Sequence, residues 1–274
     1  MIQDIYPHKF YNQYDPSKKA DDESIVLCFK DSEILISGEL FPKLKDLKNV
    51  NREDLIYLFS VDGENSYFLL NEELEEIPEG YSFVGIKKLR NNGFNKKYRV
   101  FACYTAWQLN NWYKNNRFCG RCGKRTSLDT KERAIRCECG NIIYPRIVPA
   151  VIVGVINKDK LLVTKYNRGF TQFALVAGFT EIGETLEETV EREVMEEAGL
   201  KVKNIRYYKS QPWGIVDDIL AGFYCDVDGD DTITMDSEEL KVAEWRKAED
   251  IELQTDDFSL TNEMMKRFKD GEKC

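Results

Sequence analysis

Between Gly178 and Glu197 the chain sets eight glutamates and one arginine within twenty residues. Thr185 and Glu188 have the spacing of a capping box, and Gly199 is a left-handed stop, so a helix is predicted over 186–198. Leu186, Val190 and Val194 recur every four residues and mark its buried edge. At about 100° per residue, Glu193, Glu196 and Glu197 fall within an arc of roughly 100°, and Glu197 points almost along Leu186 and Val190. A carboxylate on the buried side of a helix is costly unless something compensates it. A divalent cation is the natural compensation. Mg²⁺ and Mn²⁺ take oxygen ligands, and carboxylates three and four residues apart face one spot. The competing account of such a charge run is a solvated acidic face.

A second constellation is built of sulfur. Cys119 and Cys122 lie in "CGRCG", and Cys137 and Cys139 in "CECG", with fourteen residues between Cys122 and Cys137. Zn²⁺ takes four tetrahedral ligands, and thiolates are good ones. Four protein ligands close the site, so this zinc would be structural and take no part in catalysis. The other cysteines, Cys28, Cys103, Cys225 and Cys274, are scattered, which argues against a disulfide framework. His8 is the only histidine, so a His-based triad needs the N-terminal tail to fold back into a site.

These groups must be positioned by a chain of 274 residues, enough for one or two domains. Residues 24–90 read as β-rich. "SIVLCFKDSEILIS" reads as two strands around Lys30–Ser32, and "LIYLFSVDGENSYFLL" as a hairpin about Asp62–Gly63. From Val100 to Asn115 the spacing turns helical. After the cysteines, "IVPAVIVGVINKDKLLVTKY" reads as two strands joined at Asn157–Asp159. "NIRYYKS" and "ILAGFYCDV" read as strands, and "LTNEMMKRFK" as a C-terminal helix. The expected class is α+β. The expected divisions are 1–114 (β-rich, ending in a helix), 115–147 (zinc ribbon) and 148–274.

Formal net charge is −9, from 39 Lys and Arg against 48 Asp and Glu. Bulk, sequence-independent nucleic-acid binding needs clustered cations and is not expected. No apolar run approaches a membrane span, and the N-terminal stretch has no signal-peptide core, so a cytoplasmic location is expected.

The spacing from Gly178 through Glu184 to Arg192-Glu193-Val194, Glu196-Glu197 and Gly199-Leu200 resembles, at every position, the signature of the Nudix hydrolase family. The resemblance implies an α/β/α sandwich and metal-dependent cleavage of a diphosphate bond in a nucleoside diphosphate derivative. It assigns Glu193 and Glu197 as metal ligands. Glu196 is either a third ligand or the water-activating base, and Arg192 orients the glutamates through Glu184. A four-cysteine ribbon immediately before such a domain, with a β-rich region before that, is similar to the NADH pyrophosphatase branch of the family. That branch implies NAD(H) as the dinucleotide substrate, cleaved to AMP and nicotinamide mononucleotide. It implies the Ala177 carbonyl and Glu239 as further ligands. It implies Phe179 and Tyr144 as the aromatics that sandwich the base, the tyrosine coming from the partner subunit of a homodimer. The branch motif Ser-Gln-Pro-Trp-Pro-Phe-Pro-x-Ser is matched by Ser210, Gln211, Pro212 and Trp213. Gly214-Ile215-Val216-Asp217-Asp218 then departs from it, and the loop from Ser210 to Asp218 is expected to line the pocket. ADP-ribose, diadenosine polyphosphates, FAD and the NAD cap of RNA suit the same metal chemistry. A non-catalytic sensing or interaction module is the reading from another class.

Overall fold

Asp62 and Gly63 both take positive φ, 59° and 76°, as a tight hairpin turn requires. They reverse the chain inside a unit formed by Gln3–Arg146 with Gly214–Asp217. The computed structural model describes residues 1–90, 94, 96–272 and 274. In this first unit β1 (Phe10–Tyr11), β2 (Ile25–Leu27), β3 (Phe29–Lys30), β4 (Glu33–Ile36), β5 (Leu55–Val61), β6 (Asn65–Leu70) and β7 (Ser82–Gly85) make two small sheets. Their orders are β1-β5-β6-β2 and β3-β4-β7. Val26, Cys28, Leu35, Phe68 and Leu70 pack between them. Helix α1 (Lys97–Asn115) buries Val100, Cys103, Ala106 and Trp112. The cysteine segment follows as β8 (Ser127–Leu128), β9 (Ile135–Arg136) and β10 (Ile142–Ile143), an antiparallel sheet. It belongs to the same unit: Arg133 Nη2 donates to the Leu58 carbonyl at 2.6 Å.

The second unit is Met1–Ile2 with Ile147–Trp213 and Asp218–Cys274. Its strands are β11 (Val148–Asn157), β12 (Lys160–Tyr166), β13 (Val176–Phe179), β14 (Val202–Trp213), β15 (Asp218–Val227) and β16 (Leu240–Lys247). They form one mixed sheet in the order β14-β15-β11-β12-β16, with β13 also paired to β11. Alternation along β11 explains the layers. Val151, Val153 and Val155 join Val190, Val194 and Ala198 of helix α2 (Leu186–Ala198) in one core. Ile152 turns the other way, into a core with Leu260, Met264 and Met265 of helix α3 (Leu260–Lys269). Successive strand residues face opposite sides, so a strand apolar at every position is buried between two helices. The result is the expected α/β/α sandwich.

The helix over 186–198 has the expected bounds. Thr185 accepts from the Glu188 amide, Glu188 reaches back to the Thr185 amide, and Gly199 ends the helix at φ 70°. The expectation of a loop from Ser210 to Asp218 is corrected. Ser210–Trp213 lie in β14 and Asp218 opens β15, paired Trp213↔Asp218, which leaves 214–217 as the turn. Cross-strand pairing with β15 overrides the local proline. No helix among the described residues is long and apolar enough to cross a membrane.

Candidate metal and substrate site

The capping box and Gly199 set the phase of α2, and that phase puts Glu193 and Glu197 on its buried side. Glu193 is 9% and Glu197 2% exposed. Arg192 organises the carboxylates around it. Its Nε and Nη2 grip Glu184 at 2.6 and 2.9 Å, Nη1 donates to Glu193 Oε1 at 2.7 Å and Glu196 Oε2 at 3.0 Å, and Nη2 also reaches the Phe179 carbonyl at 2.9 Å. The guanidinium holds the Glu184 carboxyl down at about 2, helped by the Glu181 amide. Glu193 is pulled both ways: burial raises it, and Arg192 opposes that without cancelling it. Glu197 lies beyond Arg192. Burial, reinforced by Glu193 and Glu239, pushes its carboxyl up to about 8, although the Ala177 backbone hydrogen-bonds to it. Its Oε2 is buried with no hydrogen-bond partner.

Arg192, Glu193 and Glu196 open onto a cavity of about 500 Å³, lined also by Ala177, Gly178, Phe179, Asp218 and Glu239, among others, but not by Glu197. Gly178 serves here for room: a Cβ built on it would fall inside the Glu193 carboxylate. Phe179 is 54% exposed on the cavity wall. Sequence reasoning did not place Ala150, Val151 and Leu220 in this wall, because β11 and β15 bring them there by parallel pairing. Asp218 was visible only as part of a divergent loop. Tyr166 was also missed. Burial raises its hydroxyl, with Glu197, Glu239 and Glu193 close enough to add to the effect.

Other expected site residues lie elsewhere. Ser210, Gln211, Pro212 and Trp213 do not line this cavity. Gln211 is fully buried, donating to the Phe258 carbonyl at 2.7 Å and accepting from the Leu260 amide at 2.8 Å, where it caps the entry to α3. Tyr144 belongs to the first unit, where its hydroxyl meets Glu132 Oε1 at 3.0 Å. Asp217 lies there too, 4.0 Å from Arg146.

The cysteine sulfurs already stand as a zinc ion requires. Cys119, Cys122, Cys137 and Cys139 have sulfurs all within 4.8 Å of one another, with Cys119–Cys139 at 3.7 Å and Cys122–Cys137 at 3.4 Å. A tetrahedron with Zn–S of about 2.3 Å has edges of about 3.8 Å. Asn141 Nδ2 supports the Cys119 sulfur at 3.4 Å. No three carboxylates among the described residues gather as tightly. Like charges stand apart, and Arg192 draws Glu193 and Glu196 toward itself. The unpartnered Glu197 oxygen is nevertheless what a hard divalent cation would complete.

Residues 145–268 match the NUDIX domain, and residues 114–144 the NADH pyrophosphatase zinc ribbon domain. The chain thus carries a Nudix domain, with a zinc ribbon of the NADH pyrophosphatase type directly ahead of it. It is 42% identical over 147 residues to a protein of Actinobacillus succinogenes named NAD-capped RNA hydrolase NudC, covering 50% of this chain and 55% of that one. A protein of the same name from an Enterobacter species is 41% identical over 148 residues, covering 53% and 57%. The chain thus spans little more than half the length of these curated relatives. A crystal structure of a NUDIX hydrolase from Nitrosomonas europaea aligns at TM-score 0.49 and 22% identity, over 56% of this chain and 90% of that one.

Proposed function

We propose that this chain hydrolyses the diphosphate bond of NAD(H), giving AMP and nicotinamide mononucleotide, and that it works as a cytoplasmic homodimer. Its parts would be an N-terminal region over 1–114, a ribbon over 115–147 and a catalytic region over 148–274. The observation that carries the reading is Glu197, a buried carboxylate with one oxygen unpartnered, on the same helix as Glu193 and Glu196, which line a cavity of about 500 Å³. That volume suits a bound dinucleotide. Glu193, Glu196, Glu197, Glu239 and the Ala177 carbonyl would hold Mg²⁺ or Mn²⁺, which would neutralise the diphosphate and acidify the attacking water.

The chain's own residues do the rest. Water adds to one phosphorus, the bridging P–O bond breaks, and a carboxylate takes the proton. Glu196, the most exposed of the three helix carboxylates, is the base or a third ligand. Arg192 fixes these carboxylates and keeps Glu184 ionised. Phe179 offers a flat face for a base ring, and Tyr144 from a second copy would cover the other face. Cys119, Cys122, Cys137 and Cys139 would hold the structural zinc. The cavity wall carries Glu181, Glu193, Glu196, Asp218 and Glu239 against the single cation Arg192. Such a wall favours a substrate with positive charge, and so NAD⁺ over NADH.

The relatives' name supports the NAD cap of RNA as a second substrate for the same bond cleavage. The test is a panel of NAD⁺, NADH, NAD-capped RNA, ADP-ribose, FAD and a diadenosine polyphosphate, incubated with Mg²⁺ or Mn²⁺ and scored by products. AMP and nicotinamide mononucleotide are expected. If ADP-ribose or the diadenosine compound exceeded both free dinucleotides tenfold in kcat/KM, about 1.4 kcal/mol of transition-state preference, NAD(H) is not the substrate. No product from any member of the panel would leave the non-catalytic module.

A further inference from the structure

Glu239 sits on the connection between β15 and β16, exposed; it shares the cavity wall with Glu193 and lies near enough to Glu197 to act on its charge. Carboxylates this close repel one another, so a loose connection would swing Glu239 outward. The sheet ladder does not prevent this. Its register with β12 is irregular between Lys165 and Tyr166 and ends at Tyr166↔Leu240. The next residue is Asn167. Its backbone N–H donates to the Glu239 carbonyl at 2.9 Å. Its Nδ2 faces the carbonyls of Ser237 at 2.8 Å, Glu238 at 3.1 Å and Leu240 at 3.3 Å. One asparagine thus serves four consecutive carbonyls. A flipped amide would turn Oδ1 onto three carbonyl oxygens, so the network sets its orientation. The far side of the connection is tied to the metal helix itself. The Asp236 amide donates to the Glu197 carbonyl at 3.0 Å and the Thr234 amide to Ala198 at 2.9 Å, filling carbonyls left open at the end of α2.

We propose that Asn167 is a positioning residue for the metal site, holding the Glu239 connection in place against the repulsion of the other carboxylates. The inference rests on the reading of Glu239 as a metal ligand. Groups that orient a ligand rather than bind the metal alter metal affinity by roughly tenfold or more when removed.

The test measures Mn²⁺ binding to substrate-free protein by the electron paramagnetic resonance of free Mn²⁺, for the wild type and for E239Q, N167A, N167D and N167S. NAD⁺ turnover is followed against Mn²⁺ concentration in parallel. N167A and N167D should raise the Mn²⁺ dissociation constant roughly tenfold. The Mn²⁺ concentration for half-maximal rate should rise equally, with KM for NAD⁺ at saturating metal nearly unchanged. N167S keeps the backbone donor and a short hydroxyl, and should fall between; with N167D it carries the test if N167A does not fold. A lower melting temperature with unaltered Mn²⁺ affinity would mean that Asn167 is only structural, and overturns the proposal. If E239Q weakens Mn²⁺ binding and the Asn167 variants do not, this inference alone fails. If E239Q leaves Mn²⁺ binding intact, the assignment of Glu239 fails with it.

Discussion

The sharpest consequence of the site geometry concerns Gly178→Ala. Gly178 pairs with Val151 in the middle of the sheet, and its φ is not in the left-handed region, so alanine suits its backbone. The difficulty is space. A Cβ there would overlap Cδ, Oε1 and Oε2 of Glu193, so the carboxylate must retreat by more than about 1 Å to reach ordinary contact. Glu193 is 9% exposed and tied to Arg192 at 2.7 Å, so it retreats only by giving up that contact. Displacing a reacting or ligating group by about 1 Å costs on the order of 10²-fold in rate, equivalent to about 2.7 kcal/mol. The fold loses one charge-assisted hydrogen bond, about 1.5–3 kcal/mol at most, and should melt only a few degrees lower. The assay is kcat/KM for AMP release at saturating Mg²⁺, beside a thermal melt. A double-mutant cycle with Glu193→Ala isolates the cause: once the carboxylate is gone, Gly178→Ala should cost little more. Activity of Gly178→Ala within threefold of wild type, with a normal melt, would refute the reasoning.

Gly154→Ala is the converse case. Its Cβ would come within 2.6 Å of the Tyr224 ring on the α3 side of the sheet, so it should lower stability by about 1–3 kcal/mol while kcat/KM stays near wild type. In metal-free protein the Glu197 carboxyl at about 8 lies above its ordinary value of 4.5, so the folded state holds the proton more tightly. That contribution to stability is fully present below about pH 4.5 and is lost as pH rises through about 8, so the melting-point gain on adding Mn²⁺ should grow over that window. A gain independent of pH, or the same growth in Glu197→Gln, would contradict it. Metal analysis of freshly reduced protein should find about one zinc per chain, and Cys137→Ser should lose it, lowering stability more than it alters the chemistry. Asp218→Asn should reduce the NAD⁺-to-NADH ratio of kcat/KM several-fold; an equal change for both would mean that its charge does not face the nicotinamide.

Short-range features were legible because their causes lie within a few residues. Thr185, Glu188 and Gly199 define a helix by local capping, and the phase of that helix already placed Glu197 on the inside, where it is 2% exposed. The cysteine pairs likewise show their ligand spacing within one turn each. The tertiary structure decided what depends on distant partners. Ser-Gln-Pro-Trp reads locally as a loop, yet pairing with β15 makes it strand and directs Gln211 to the start of α3, 49 residues away. Asp218 reaches the cavity wall through its place beside β11, while adjacent Asp217 turns to Arg146. Asn167 carries no periodic or motif signal at all; only the folded sheet brings it under residues 237–240, some 70 positions on. Helix ends and metal turns are settled by neighbours in sequence. Which side chain meets which across a sheet is settled by register, and register is a property of the whole buried core.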